Sequence, residues 1–279
     1  MPNPIADPFV ENPDTDATSE LVTLEATVDG VVLVTMNRGA KKNAFNAELI
    51  GALRETFETL RDQETIRIVF LRGSGGTFSA GADLEWMRDA VDHTEADNRE
   101  DAMQMALMLK HLYDIPALTV ALVDGGAFGG GAGLAAACDL AIATADAKFA
   151  FSEVKLGLIP ATISPYVVAA IGPRKARRLF ATGEVFDAAY AREIGLIDQI
   201  VPDAAGFDAV REQLSADIMA CAPGAVDQSK KLVTEVAGVA IDHGLMSHTA
   251  HRIAAQRVGD EGQAGVRAFL DRKKAPWAF

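Results

Sequence analysis

The chain has 279 residues, with 26 Lys and Arg against 39 Asp and Glu, a formal net charge of −13, and 49% apolar and 23% charged residues. That composition excludes a disordered or fibrous protein. The acidic balance argues against nucleic acid as the main partner, because phosphate contacts need a clustered basic surface. Two cysteines, Cys138 and Cys221, are too few for a disulfide framework or a Cys-based metal site.

Residues 1–19 hold Pro2, Pro4, Pro8 and Pro13 among polar side chains and predict an unstructured tail. The first basic residue is Arg38, so no basic targeting leader is expected, and the expected location is cytoplasmic. Between 21 and 37 two β-branched runs flank Asp29-Gly30, a hairpin signal because both turn positions tolerate positive φ. Asn46 precedes Leu49, Leu53, Phe57 and Leu60, which predicts a capped helix over 46–61. Residues 66–71 read as a buried strand running into the glycine loop 72–76. The polar stretch 89–113 reads as helical in its second half. Strands are predicted at 117–123 and 140–145, with a β-like piece around Phe149. Beyond Gly172 the pattern is helical apart from 197–201, with two or three helices over 226–269. Alternation of strand, glycine loop and helix predicts an α/β layered core. The uncharged run between Asp124 and Asp139 is too short to cross a bilayer, so no membrane partner is expected.

Two glycine/alanine turns stand out. Gly125 to Gly133 sits between a strand and an alanine-rich helix, and exposes backbone N–H groups where negative charge is stabilised. Gly131, Gly133 and Ala136 also fit the dinucleotide pattern G-x-G-x-x-A, but the helix that follows is barely two turns long and the next strand does not end at an acid. The second turn is Phe78-Ser79-Ala80-Gly81-Ala82-Asp83-Leu84. Two such turns after parallel strands can aim two N–H groups at one oxygen, the geometry of an oxyanion hole; tight turns in a packed protein are the plainer alternative. Glu153, in Ala150-Phe151-Ser152-Glu153-Val154, has an apolar setting that would raise its pKa toward acid/base use. No G-x-S-x-G elbow, Walker A loop or HExxH is present. His248 and His251 lack a further ligand at metal spacing, so no metal site is expected.

Taken in order, Asn37-Arg38…Lys42-Asn43-Ala44-Phe45, Phe78 to Leu84, Gly129-Gly130-Gly131, Ala137-Cys138-Asp139 and Glu153…Gly157-Leu158-Ile159-Pro160 resemble the crotonase superfamily of enoyl-CoA hydratases and isomerases. The resemblance runs from about residue 21 to the C-terminus. In appearance it is nearest to bacterial methylglutaconyl-CoA hydratase-like members. It implies an α/β fold with a ββα superhelix core over 20–200 and a C-terminal helical trimerisation region over 201–279, assembled as a homotrimer or dimer of trimers. It implies a coenzyme A thioester as substrate, with no permanently bound cofactor. The N–H groups of Ala80 and Gly130 would form the oxyanion hole, and Glu153 would transfer the proton. Lys42, Ala80, Gly81, Ala82, Asp83, Leu84 and Gly130 would contact the CoA ester, joined by Phe269 and Lys273 from the C-terminal helix.

One position departs from the pattern. Hydratases of the best-known type carry a second glutamate three residues after the oxyanion glycine, where this chain has Gly133. The leading expectation is hydration of a 2-enoyl-CoA, with a branched, methylglutaconyl-like acyl group as one candidate. A Δ3,Δ2-enoyl-CoA isomerase, which needs one proton carrier, and a non-catalytic acyl-CoA binder are the alternatives.

Overall fold

The computed structural model describes residues 21–278, so the expected tail over 1–19 lies outside the described residues. Six strands form the main sheet in the order β1-β2-β3-β4-β6-β9. These are β1 (Val22–Ala26), β2 (Val31–Met36), β3 (Ile68–Gly73), β4 (Leu118–Val123), β6 (Leu140–Thr144) and β9 (Gln199–Val201). Within this sheet β1 and β2 pair antiparallel and the remaining pairs run parallel. A small sheet joins β5 (Gly126–Phe128), β7 (Lys148–Ala150) and β8 (Phe186–Asp187).

Period-two alternation sorts the strand residues onto two faces. Val32, Val34, Val69, Leu71, Ala121 and Val123 face one core with Leu49, Leu53, Phe57, Met108 and Leu112. Leu33, Ile68, Phe70, Val120, Leu122 and Ile142 face a second core with Phe207, Val210 and Ile218. Strands apolar on both faces are what a helix-covered parallel sheet requires.

The predicted helix is α1 (Ala47–Arg61), and the Asn46 side chain accepts from Leu49 N at 3.0 Å as its cap. The hairpin forms, but its connection is the four-residue stretch 27–30, closed by Gly30 N donating to Thr27 O, and only Gly30 of the Asp-Gly pair takes positive φ. Helix α2 (Leu84–Asp89) precedes α3 (Glu95–Tyr113), which starts at a capping box between Thr94 and Asp97. The first half of α3 is largely exposed, so it lacked the apolar periodicity that betrays a helix. The piece Gly126–Phe128, expected as loop, is a strand because it pairs with β7. Helix α4 (Gly130–Ala137) follows it, and α5 (Ser164–Thr182) is broken at Gly172, before Pro173. After α6 (Ala188–Ile194) and β9 come only helices: α7 (Gly206–Met219), α8 (Pro223–Val236), α9 (His243–Val258) and α10 (Asp260–Leu270). No described helix is long and apolar enough to cross a membrane.

Candidate active site

The site is assembled from two loops stitched to one another. Asn43 is fully buried and adopts a left-handed backbone (φ 51), which Asn tolerates better than most residues. Its Nδ2 donates to Ser74 O at 2.9 Å and Thr77 O at 2.7 Å, while its Oδ1 accepts from Arg38 N at 2.9 Å. Ser79 Oγ donates to Asn43 O at 2.8 Å. The Asn37-to-Phe45 segment is therefore a hydrogen-bonded bed for the turn 78–84.

That turn is held on both edges. Ser79 bridges Ala127, and Ala82 bridges Phe45, whose N donates to Gly81 O at 2.7 Å and whose O accepts from Asp83 N at 2.8 Å. These bonds decide which backbone donors remain free. Ala80 N donates to Lys42 O at 2.9 Å, so Ala80 is not the oxyanion donor that the sequence suggested. Ala82 is two residues on, and its N–H faces away from Phe45 by the alternation of extended backbone. It donates to no partner among the described residues. Gly130 opens α4, where a helix leaves its first N–H groups unpaired.

Close packing sets the second donor. Gly129 has φ 50 and ψ −118, a conformation only glycine adopts readily, and turns the chain from β5 into α4. A Cβ on Gly131 would lie 2.7 Å from Ser79 Cβ, so the helix sits directly on the first turn. A Cβ on Gly133 would lie 2.0 Å from Ile163 Cγ2. The place of the second glutamate is filled by an isoleucine side chain.

Ala82, Gly130 and Glu153 line one cavity of about 640 Å³. Its walls are otherwise mostly apolar: Phe45 below, Trp86 and Met87 from α2, Ala102 and Met105 from α3, and the segment 156–163. Glu153 begins the short 3-10 helix Glu153–Leu156. Its Oε1 comes within 3.2 Å of where a Cβ on Gly129 would be, and its Oε2 is buried with no partner among the described residues. Burial pushes the Glu153 carboxyl above the ordinary glutamate value, opposed only in part by a hydrogen bond from its own backbone N–H. A half-buried carboxylate of raised pKa beside two free N–H donors can exchange a proton with a group whose charge those donors stabilise.

The other sequence-predicted residues divide. Gly81 is buried in the turn. Asp83 is committed elsewhere: it pairs with Arg38 at 2.5 Å, caps α2 through Glu85 N at 2.7 Å, and is 4% exposed, so its carboxylate is not available to a ligand. The Arg38 guanidinium holds it below the usual carboxylate range, helped by the backbone N–H of Glu85. Leu84 and Lys42 are exposed, and neither lines the cavity. Phe269 is 81% exposed on α10 and Lys273 pairs with Asp271 at 3.2 Å; neither lines the cavity within one chain. Sequence reasoning missed Ala82 as the free donor, Asn98 as a polar cavity residue, and Ile163 as the group opposing Gly133. Among the described residues no three His, Cys, Asp or Glu side chains converge to hold a metal ion.

Residues 26–278 match the enoyl-CoA hydratase/isomerase family. A solved structure from Legionella pneumophila, described as an enoyl-CoA hydratase/isomerase (crotonase), is 45% identical with a TM-score of 0.86, over 92% of this chain and 99% of that one. The crystal structure of an enoyl-CoA hydratase from Shewanella pealeana is 36% identical with a TM-score of 0.89, over 94% and 100%. The enoyl-CoA isomerase/hydratase fer4 of Mycosarcoma maydis is 33% identical over 79% of this chain and 82% of its own. With matches of this extent the chain belongs to the enoyl-CoA hydratase/isomerase family and has the α/β crotonase fold with its C-terminal helical region.

Proposed function

We propose that the protein is an enoyl-CoA hydratase acting on a 2-enoyl-CoA thioester. The observation that carries this reading is one cavity lined by Ala82 and Gly130, whose backbone N–H groups have no partner among the described residues, and by the desolvated carboxyl of Glu153. The donors hold the thioester oxygen. Glu153 takes a proton from water as the water oxygen attacks C3, and the double-bond electrons move onto the thioester oxygen. The enolate collapses as Glu153 returns that proton to C2, so one water is added and the carboxylate is regenerated. Losing one oxyanion donor would raise the barrier by roughly 3 kcal/mol.

A second reading has its own observation. Ile163 fills the space beside Gly133, so no second carboxylate joins Glu153 from α4. A Δ3,Δ2-isomerase needs one proton carrier: Glu153 would take a proton from C2 of a 3-enoyl-CoA and return it to C4. Purified protein given crotonyl-CoA, and separately a 3-enoyl-CoA, decides between them by the conjugated thioester absorbance. Its decay with crotonyl-CoA supports hydration. Its growth with the 3-enoyl-CoA, with crotonyl-CoA untouched, replaces hydration by isomerisation.

We further read 20–200 as the catalytic unit and 201–279 as an assembly region for a homotrimer or dimer of trimers. In support, α8, α9 and α10 carry no buried side chain within one chain, and Val258, Phe269 and Leu270 are more than 70% exposed. Phe269 and Lys273 would act there, at a neighbour's CoA, and Lys42 at the chain's own. A cytoplasmic location fits this reading.

A further inference from the structure

The polar groups of the cavity point to the kind of acyl chain it takes. Met105 stands against Gly130, its Cε 2.7 Å from where a Cβ on that glycine would be, so this part of α3 marks the reacting end. Asp101 lines the same cavity four residues earlier, and Asn98 seven residues earlier. At 1.5 Å of rise per residue these lie about 6 Å and about 10 Å along the helix axis from Met105. An acyl group leaving the oxyanion donors along α3 therefore passes Met105, then Asp101, then Asn98.

Among the described residues that line the cavity there is no Lys, Arg or His, whereas two, Glu153 and Asp101, are acids. Two basic side chains near Asp101 do not line this cavity: His93, whose Nδ1 is 3.6 Å from the Asp101 carboxylate, and Arg54, which shares with Asp101 a smaller adjoining cavity and donates there to Gln104. The mouth is apolar, with Val91, Leu156, Leu158 and Ile159 all more than half exposed.

Resting on the CoA-thioester reading above, we propose that Asp101 is a specificity-determining residue that restricts the site to thioesters of uncharged acyl groups and rejects acyl chains ending in a second carboxylate. A carboxylate a few bonds beyond the thioester would enter an apolar cavity with no cation to pair with and with Asp101 beside it. An unpaired buried charge and a like-charge contact each cost enough to shift affinity by about tenfold or more. The methylglutaconyl-like substrate suggested by the sequence resemblance is thereby disfavoured, while straight or branched hydrocarbon chains are accepted.

Calorimetric titration of the full-length protein in its native assembly provides the test, because any cation contributed by a second copy is then present. Butyryl-, octanoyl- and glutaryl-CoA, which are saturated and cannot turn over, serve as probes. The expected result is glutaryl-CoA binding at least about tenfold more weakly than butyryl-CoA in wild type. Asp101→Asn should bring the two within about threefold, and Asp101→Lys should reverse the order. Glutaryl-CoA binding as tightly as butyryl-CoA, or a ratio that Asp101→Asn leaves unchanged, overturns the proposal. The expected binding ratios without hydration of crotonyl-CoA would uphold the specificity and reject the hydratase reading instead. Failure of every thioester to bind would reject both.

Discussion

Ile163 stands where a side chain at Gly133 would have to be, with its Cγ2 2.0 Å from the position of a Cβ on that glycine. Both residues are buried, and Ile163 is 1% exposed, so neither can yield freely. Gly133→Ala should therefore destabilise by about 2 kcal/mol through overpacking. Chemical denaturation would show it as a lowered midpoint with unchanged slope.

The same pair offers a way to rebuild a two-carboxylate site. In an Ile163→Ala background, Gly133→Glu gains the room it lacks in the wild type. Hydration of crotonyl-CoA by this double variant is expected to exceed that of Ile163→Ala alone by about tenfold or more, the lower range of what a positioned acid or base supplies. Equal rates in both backgrounds would mean that a second carboxylate on α4 has no part in the reaction.

Glu153→Gln should lower kcat by at least about a hundredfold with little change in CoA-ester affinity. On the proposed mechanism the rate depends on the ionised carboxylate, whose pKa burial has raised. Activity should thus fall as pH drops through a value above the ordinary glutamate range, earlier than an exposed carboxylate would dictate. A rate flat down to the ordinary glutamate value would contradict that assignment.

Asp83 tests whether the turn is rigidly built. Asp83→Ala removes the cap of α2 and strands the Arg38 guanidinium, a combined loss of about 3 kcal/mol; Asp83→Asn keeps the cap and should lose less. Because the folded pKa of Asp83 is lowered, its stabilising effect is present above the unfolded aspartate value and is lost as pH falls through the folded one. The stabilities of wild type and Asp83→Asn should accordingly converge in strong acid.

Lys230 ties α8 to the sheet. Its Nζ donates to Ile115 O at 2.6 Å, Ala117 O at 2.8 Å and Asp139 Oδ2 at 2.6 Å, and the same carboxylate oxygen accepts from Thr119 N and Oγ1. Lys230→Met should cost about 3 kcal/mol by leaving a carboxylate and two carbonyls without their donor. Hydrogen exchange should localise the loosening to α8 and the start of β4, with the Glu153 cavity unaffected.

Much of this was legible in advance, for reasons that differ by residue. The strands at 68–73, 118–123 and 140–144 announce themselves as apolar runs between glycine loops, and Asn46 and its helix follow from local spacing. The strand Gly126–Phe128 does not, because its pairing with Lys148–Ala150 overrides a sequence that reads as turn. Both glycine turns of the site were readable, and so was Glu153. Which N–H of the first turn stays free was not. That depends on Lys42 O capturing Ala80 N from a loop far away in sequence, a contact that no local pattern encodes. Likewise Gly133 signals a missing side chain, but only the fold shows that Ile163 has taken its place.

The solitary Oε2 of Glu153 also sets the resting protein against itself. A carboxyl whose folded pKa is raised favours the native state while it keeps its proton, and that advantage is lost as pH rises through the folded value. Near neutrality and above, the isosteric amide should make a more heat-resistant protein and a nearly inactive one, whereas below the unfolded glutamate value the two should melt alike. On the proposed mechanism, keeping this glutamate in a mostly apolar cavity trades stability for turnover.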